Sequence, residues 1–396
     1  MHVLISGAGP AGLTCALSLA QHGLSCEVID QAPFSRRQGH TIGLNLNGWT
    51  VLNHLNLLEE IKEEALSFPY AEFRDSKNRK LFSYNYENVI QATQGKILTI
   101  PRDFLQNILF KALRNRGIPL TFETKIKSLK EHRNGIDVTF SSGEQKTFDL
   151  LVGADGYRSG VRALTFGSHD LFLRPLGYRN AAWRFSTEDP LPKDVKGYMD
   201  VDQQVCVHPI GSHVGEIIFC WKDPDIRRLS PSEKKTILKE KFLGWPKRIE
   251  DILESQQNWD DVFCDTIYQV EVERWWKGRV VLIGDAAHCL TYLSGQGPST
   301  AMAGAYILAS ELCDKPFAFA LESYESTMKP FAHKLQNQAQ NIAATIPETR
   351  KALWIQSTML SLFLKRPLLN LTARKFLGEA LPLQDLKKSS KILEAA

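Results

Sequence analysis

The sequence predicts an α/β fold: a Rossmann-like nucleotide-binding domain interwoven with an α+β domain over an antiparallel sheet, followed by C-terminal helices. Three observations lead there. The first thirty residues read as strand, glycine-rich turn, helix and strand; a stretch of alternating strands runs from about 171 to 272; and a buried-type strand and long helices follow it.

Each element has a local reason. His2 to Ser6 is a short apolar run of β type, Ala11 to His22 has helical spacing closed by Gly23, and Ser25 to Asp30 returns as a strand, which makes a βαβ unit. Arg102 to Arg116 carries helical periodicity. Pro119 to Leu129 and Gly135 to Phe140 read as strands, and Phe148 to Gly153 as a fully buried one. The pattern then alternates through Tyr178 to Ser186, Gln203 to Pro209 and His213 to Lys222, with a helical insert from Ser232 to about Leu253. Arg279 to Ile283 is again a buried strand, Ser299 to Cys313 a helix, and the chain to Leu377 is largely helical with a break at Pro367. The organisation expected is 1–170 with 273–330 as the nucleotide domain, 171–272 as the second domain with help from 69–100, and 331–396 as a helical segment.

With 396 residues, 43% hydrophobic and 23% charged, the chain can bury a large core. A net charge of +4 without long runs does not argue for nucleic acid or a membrane surface as partner, and neither is expected. Val3 to Ala20 has the apolarity of a signal peptide but lacks a basic start and is broken by Gly7, Gly9, Pro10 and Gly12, so it reads as part of the fold. No uninterrupted run suits a bilayer. The seven cysteines are odd in number and scattered, which favours reduced thiols and a cytoplasmic chain; a monomer is the simplest assembly. No metal-binding cluster, HExxH motif or GxSxG elbow is present.

Chemistry begins at Gly7-Ala8-Gly9-Pro10-Ala11-Gly12. Glycines there make a tight turn and admit a pyrophosphate to a helix N-terminus, and Asp30, at the end of the next strand, can accept bonds from an adenosine ribose. The pattern alone does not separate NAD from FAD. Two later segments, 149–162 with Asp155 and 278–288 with Gly284 and Asp285, together with Gly295-Gln296-Gly297-Pro298-Ser299, resemble the motifs of class A flavoprotein hydroxylases, the group like para-hydroxybenzoate hydroxylase. The stretch from Asp265 through Trp276 to Ala309 is most similar to the branch containing tetracycline-inactivating and antibiotic-tailoring monooxygenases.

That resemblance, over roughly the first 340 residues, implies a bound FAD and a transient NADPH or NADH, since no second GxGxxG is present to hold a nicotinamide. It implies cofactor contacts from Gly7, Gly9, Pro10, Ala11, Gly12, Asp30, Arg36, Arg37, Arg102, Asp155, Gly284, Asp285, Gln296, Gly297 and Ser299. Arg184 corresponds to an arginine on the substrate sheet and is the candidate catalytic residue, while Trp183, Phe219, Trp221 and Tyr292 are candidates for the substrate pocket wall. Two positions depart from the family: Gly43 where relatives often carry an acid, and Tyr292 where they commonly carry proline.

The activity implied is NAD(P)H- and O2-dependent oxygenation of a small aromatic or polyketide-like molecule through a flavin C4a-hydroperoxide. The alternatives are a flavin reductase or dehydrogenase that inserts no oxygen, and a flavin-bearing protein that sequesters a ligand. The basic, apolar stretch Arg350 to Lys375 reads as a helix packed over the second domain or, on the other reading, as a membrane-surface helix.

Overall fold

A computed structural model describes residues 1–33, 40–291, 294–344 and 346–365, together with Leu369, Ala380, Leu381 and Leu383. Two large sheets organise it. The first has six strands in the order Trp276–Lys277, Val280–Leu282, Leu150–Gly153, His2–Ser6, Ser25–Ile29 and Leu120–Thr121, all neighbours being parallel except the first pair. Its central strands are short β-branched and leucine runs with almost no exposed atoms, as strands covered on both faces must be. The helix Pro10–Gln21 packs against the long helix Gly297–Asp314, and both join the principal core.

The second sheet has seven strands in the order Phe263–Val270, Leu173–Ser186, Val214–Lys222, Gln203–Pro209, Val195–Asp200, Tyr70–Arg74 and Lys80–Asn85. Its pairings are antiparallel except for a parallel contact between Val195–Asp200 and Tyr70–Arg74. One face is covered by the helices Pro231–Lys241 and Lys247–Ser255, which bury Leu238, Phe242, Trp245, Ile249 and Leu253 against Ala181, Trp183, Phe219 and Trp221. The opposite face looks toward a two-stranded ribbon, Thr41–Leu44 with Leu98–Pro101, which stands between the two sheets.

Three local expectations change. Pro119 to Leu129 is not one strand: pairing stops at Thr121, Glu123 takes φ +53, and a new strand runs Ile126–His132. The insert expected as one helix is two, because Gly244 (φ +77) and Pro246 end the first and open the second. The ribbon strands Thr41–Leu44 and Leu98–Pro101 were not foreseen, being four residues each and without clean alternation. All seven cysteines are free thiols, and no helix among the described residues is long and apolar enough to cross a membrane.

Candidate active site

The glycine turn is the first wall. Gly7 has φ +115, and a Cβ there would run into the carbonyl of Ala154; a Cβ on Gly12 would strike the carbonyl of Gly7. Only glycine lets these backbones approach so closely. Gly9 and Pro10 open the helix Pro10–Gln21, whose first turn holds no acidic residue and no side-chain cap. A bare helix N-terminus beside open space is suited to an anion. A Cβ on Gly9 would have one neighbour within 4 Å, the Arg102 guanidinium nitrogen Nη2 at 4.0 Å, so a cation overlooks that same space. Gln106, one turn on, donates to the Ala8 carbonyl at 2.9 Å and fixes the helix Arg102–Asn115 against the turn.

Asp30 is positioned by two backbone donors. Its Oδ2 accepts from Ala8 N at 2.7 Å and its Oδ1 from Ala32 N at 2.8 Å, which leaves a lone pair on each oxygen for sugar hydroxyls. Gly284 (φ +57) presses so near the turn that a Cβ there would meet the Ala11 methyl at 2.8 Å and the Ala301 methyl at 3.3 Å. Asp285 follows, its carboxyl raised by burial and pulled back down by the charge of Arg102. Thus Gly7 to Gly12, Asp30, Arg102, Gly284 and Asp285 are brought together around one turn.

Asp155 lies against Gly7 and does a second job. Its Oδ2 accepts from Val161 N at 3.0 Å at the start of the helix Gly160–Thr165, and burial raises its carboxyl. Gln296, Gly297 and Ser299 open the helix Gly297–Asp314, whose first-turn N–H groups have no intrahelical acceptors. Gln296 Oε1 accepts from Asn45 Nδ2 at 3.1 Å. The hydroxyl of Ser299 is fully buried, accepting from Asn45 N at 2.9 Å, so a cofactor contact through that side chain is corrected to a link between the helix and the ribbon. Arg36, Arg37 and Tyr292 lie outside the described residues.

Arg184 points from the inner face of the second sheet. Its Nη1 donates to Asp103 Oδ2 at 2.9 Å and its Nη2 to Asp103 Oδ1, a two-pronged pair beside Arg102, with the Phe104 ring 5.8 Å from the guanidinium. Directly across the strand pairing stands Glu216, 0% exposed, accepting from Thr41 N at the start of the ribbon. Burial pushes the Glu216 carboxyl up to about 7 against the pull of Arg184. His208 is opposite Glu216 on the other side, and burial lowers it to about 4. His40 is lowered to about 4 as well, by burial first and then by Arg102 and His208. Its ring is 6.2 Å from Phe263.

The aromatic wall expected from the sequence is on the wrong side. Trp183, Phe219 and Trp221, at 6%, 0% and 1% exposure, face the helical insert, with Trp183 and Phe219 stacked at 5.1 Å and Phe242 packed edge-on. Strand alternation explains it: Arg184 and Trp183 are neighbours and must take opposite faces, and Phe219 sits opposite Ala181 on the Trp183 face. These three are core residues.

Sequence reading also missed Arg162, which is completely buried. It donates to the Ala286 carbonyl at 2.8 Å and the Tyr157 carbonyl at 2.6 Å, tying the Asp155 loop to the Asp285 loop. Arg158 holds Asp265 with two bonds of 2.9 Å, and Tyr157 donates to the same carboxylate, which anchors the first sheet to the second. Asn45 and Glu216 were missed too. Nothing in an isolated Asn or Glu marks it as a tether between sheets.

Such a glycine cradle, an acid held at the end of the next strand and an overlooking arginine define a dinucleotide-binding protein. Residues 1–339 match the family described as FAD binding domain, and the chain belongs to that family. A flavin-dependent monooxygenase from an unknown prokaryotic organism is 28% identical over 343 residues, covering 84% of this chain and 87% of the relative. The FAD-dependent monooxygenase asL6 of Sarocladium schorii is 27% identical over 356 residues, covering 83% and 84%. Among solved structures, the tetracycline destructase Tet(55) superposes with a TM-score of 0.82 at 23% identity, covering 96% of this chain and 98% of that one. HpxO of Klebsiella pneumoniae, solved with FAD and uric acid, gives 0.80 at 21% identity, covering 96% and 97%. The chain is an FAD-dependent monooxygenase.

Proposed function

We propose that the chain oxygenates a small aromatic or polyketide-like molecule held between the ribbon Thr41–Leu44 and the inner face of the second sheet. The observation that carries this reading is the adjacency of Arg102 and Asp103: one overlooks the glycine turn at Gly9 and the other clamps Arg184 on the sheet. Cofactor and substrate then meet across one helix N-terminus. Tetracycline and uric acid, named with the similar structures, are ring systems rich in oxygen and nitrogen, which supports the substrate class.

When bound, FAD supplies the redox chemistry that activates dioxygen. The chain supplies everything else. Gly7, Gly9, Ala11 and Gly12 admit the pyrophosphate, the Pro10–Gln21 helix terminus and Arg102 neutralise it, and Asp30 receives the adenosine ribose. Asp285 is placed to receive ribityl hydroxyls, with Gly284 keeping that loop close. Gln296, Gly297 and Ser299 present a helix terminus that favours negative charge on the ring system. Asp155 and Arg162 hold the two aspartate loops in register. Arg184 and the neutral His40 and His208 offer donors and acceptors to the substrate, and the enclosed sheet face keeps water away from the reacting atoms. We place the enzyme in the cytoplasm, with seven free thiols in support.

The test is direct. The purified protein should be yellow and should oxidise NADPH faster when phenolic or tetracycline-like compounds are added, with oxygen uptake and a product heavier by one oxygen atom. Stimulated NADPH oxidation without a heavier product would identify a reductase instead, and tight binding with no NADPH consumption a sequestering protein.

A further inference from the structure

The inner face of the second sheet carries a closed circuit of ionisable groups. Asp103 grips Arg184; Arg184 stands across from Glu216, Glu216 across from His208; His208 and Arg102 both act on His40, and Arg102 is the chain neighbour of Asp103. Among the described residues, Cys206 beside His208, Tyr84 and Tyr86 beyond it, and Asp265 with its partner Arg158 farther along the sheet also border this face.

Among the described residues, the cation on the sheet itself is compensated by a carboxylate. Asp103 occupies both terminal nitrogens of Arg184, so the fork that would receive a carboxylate is already filled. Each terminal nitrogen keeps one further N–H, while Nε is buried without a partner among the described residues, so Arg184 offers single donors from a cation whose charge Asp103 already compensates. Both histidines are held neutral by burial. Glu216 adds nothing positive, and at higher pH it adds a negative charge. Arg102, the other cation in the circuit, faces Gly9 and Asp285, where the cofactor takes up its charge.

We propose that this site is specific for an uncharged ring bearing hydroxyl or keto groups and discriminates against the carboxylated counterpart of the same ring, with the Arg184–Asp103 pair as the determinant. The inference rests on the functional reading given above, since it takes the sheet face as the substrate side. A carboxylate would meet a cation already compensated by Asp103 and, across the strand pairing, the carboxyl of Glu216, and both weaken its binding relative to the uncharged ring.

Orcinol and orsellinate test this, because they share one ring and differ by the carboxylate. Titrating each into the FAD-loaded protein at neutral pH, followed by calorimetry and by the flavin absorption bands, should show orcinol binding at least tenfold more tightly. Asp103→Asn should shrink that preference at least tenfold by releasing the positive charge, whereas Arg184→Gln in the same background should restore it. Equal or tighter binding of orsellinate to the wild type overturns the proposal, as does failure of orcinol to bind up to its solubility limit. An unchanged ratio in Asp103→Asn overturns the role of the pair. If Asp103→Asn fails to hold flavin, Asp103→Ser is read in its place, and the wild-type ratio decides the preference in any case. Failure to take up FAD would instead strike the functional reading, a distinction that the flavin bands make before any ligand is added.

Discussion

Replacing Glu216 by glutamine isolates one buried proton. The carboxyl is completely enclosed, holds Thr41 N, and keeps its proton up to about pH 7 in the folded chain, against an ordinary value of 4.5. Between those two values the folded state binds one proton more than the unfolded state, so stability falls as pH rises. The contribution is fully present below 4.5 and is lost once pH has passed through about 7. At about 1.4 kcal/mol per pKa unit, the rise corresponds to about 3 kcal/mol. Glutamine retains an oxygen for Thr41 N and cannot ionise. The free-energy difference between Glu216→Gln and wild type, from urea denaturation followed by tryptophan fluorescence, should therefore move by about 3 kcal/mol in favour of the variant between about pH 4 and pH 8. A difference that stays flat across that range would refute the reasoning, because it would mean that Glu216 ionises as freely in the folded chain as in the unfolded one.

Other perturbations follow from the same geometry. Gly12→Ala places a methyl against the Gly7 carbonyl and should cut FAD affinity roughly tenfold or more, or about 1.4 kcal/mol, read as flavin-to-protein absorbance after dialysis. Trp183→Ala removes a stacked indole from the core under the helical insert and should cost about 3–5 kcal/mol of stability; the surviving enzyme should keep its substrate KM, whereas a pocket residue would change it. Arg162→Met leaves the Ala286 and Tyr157 carbonyls without their donor and should cost about 3 kcal/mol in the same denaturation assay. Asp30→Asn keeps an oxygen for Ala8 N but turns an NH2 toward Ala32 N, so FAD should dissociate more readily and the apoprotein should melt somewhat lower than wild type.

The parts legible in the sequence were those whose physics is local. A glycine turn, a following helix and an acid one strand later constrain one another within thirty residues, and the fold class and the cofactor class were read from them and from the Asp155 and Asp285 segments. The face of Arg184 was legible by alternation, and so was the opposite face of Trp183; assigning Trp183, Phe219 and Trp221 to a pocket ignored that the helices 231–255 need an apolar surface to lie on. Contacts spanning long sequence distances left no trace. Thr41 meets Glu216 across 175 positions, and Asn45 meets Ser299 across 254. Neither pair has a periodicity or spacing to find. The short ribbon strands were hidden for the same reason, since their partners and neighbours, more than their own residues, make them strands.

The ribbon Thr41–Leu44 is fastened at its first residue to the antiparallel sheet and just past its last to the helix Gly297–Asp314. Five consecutive residues therefore answer to both halves of the molecule at once, and neither half can shift without pulling on the other. Thermodynamic reciprocity then applies: whatever factor an occupied sheet face adds to the hold on the nucleotide, the nucleotide returns to the occupant in equal measure.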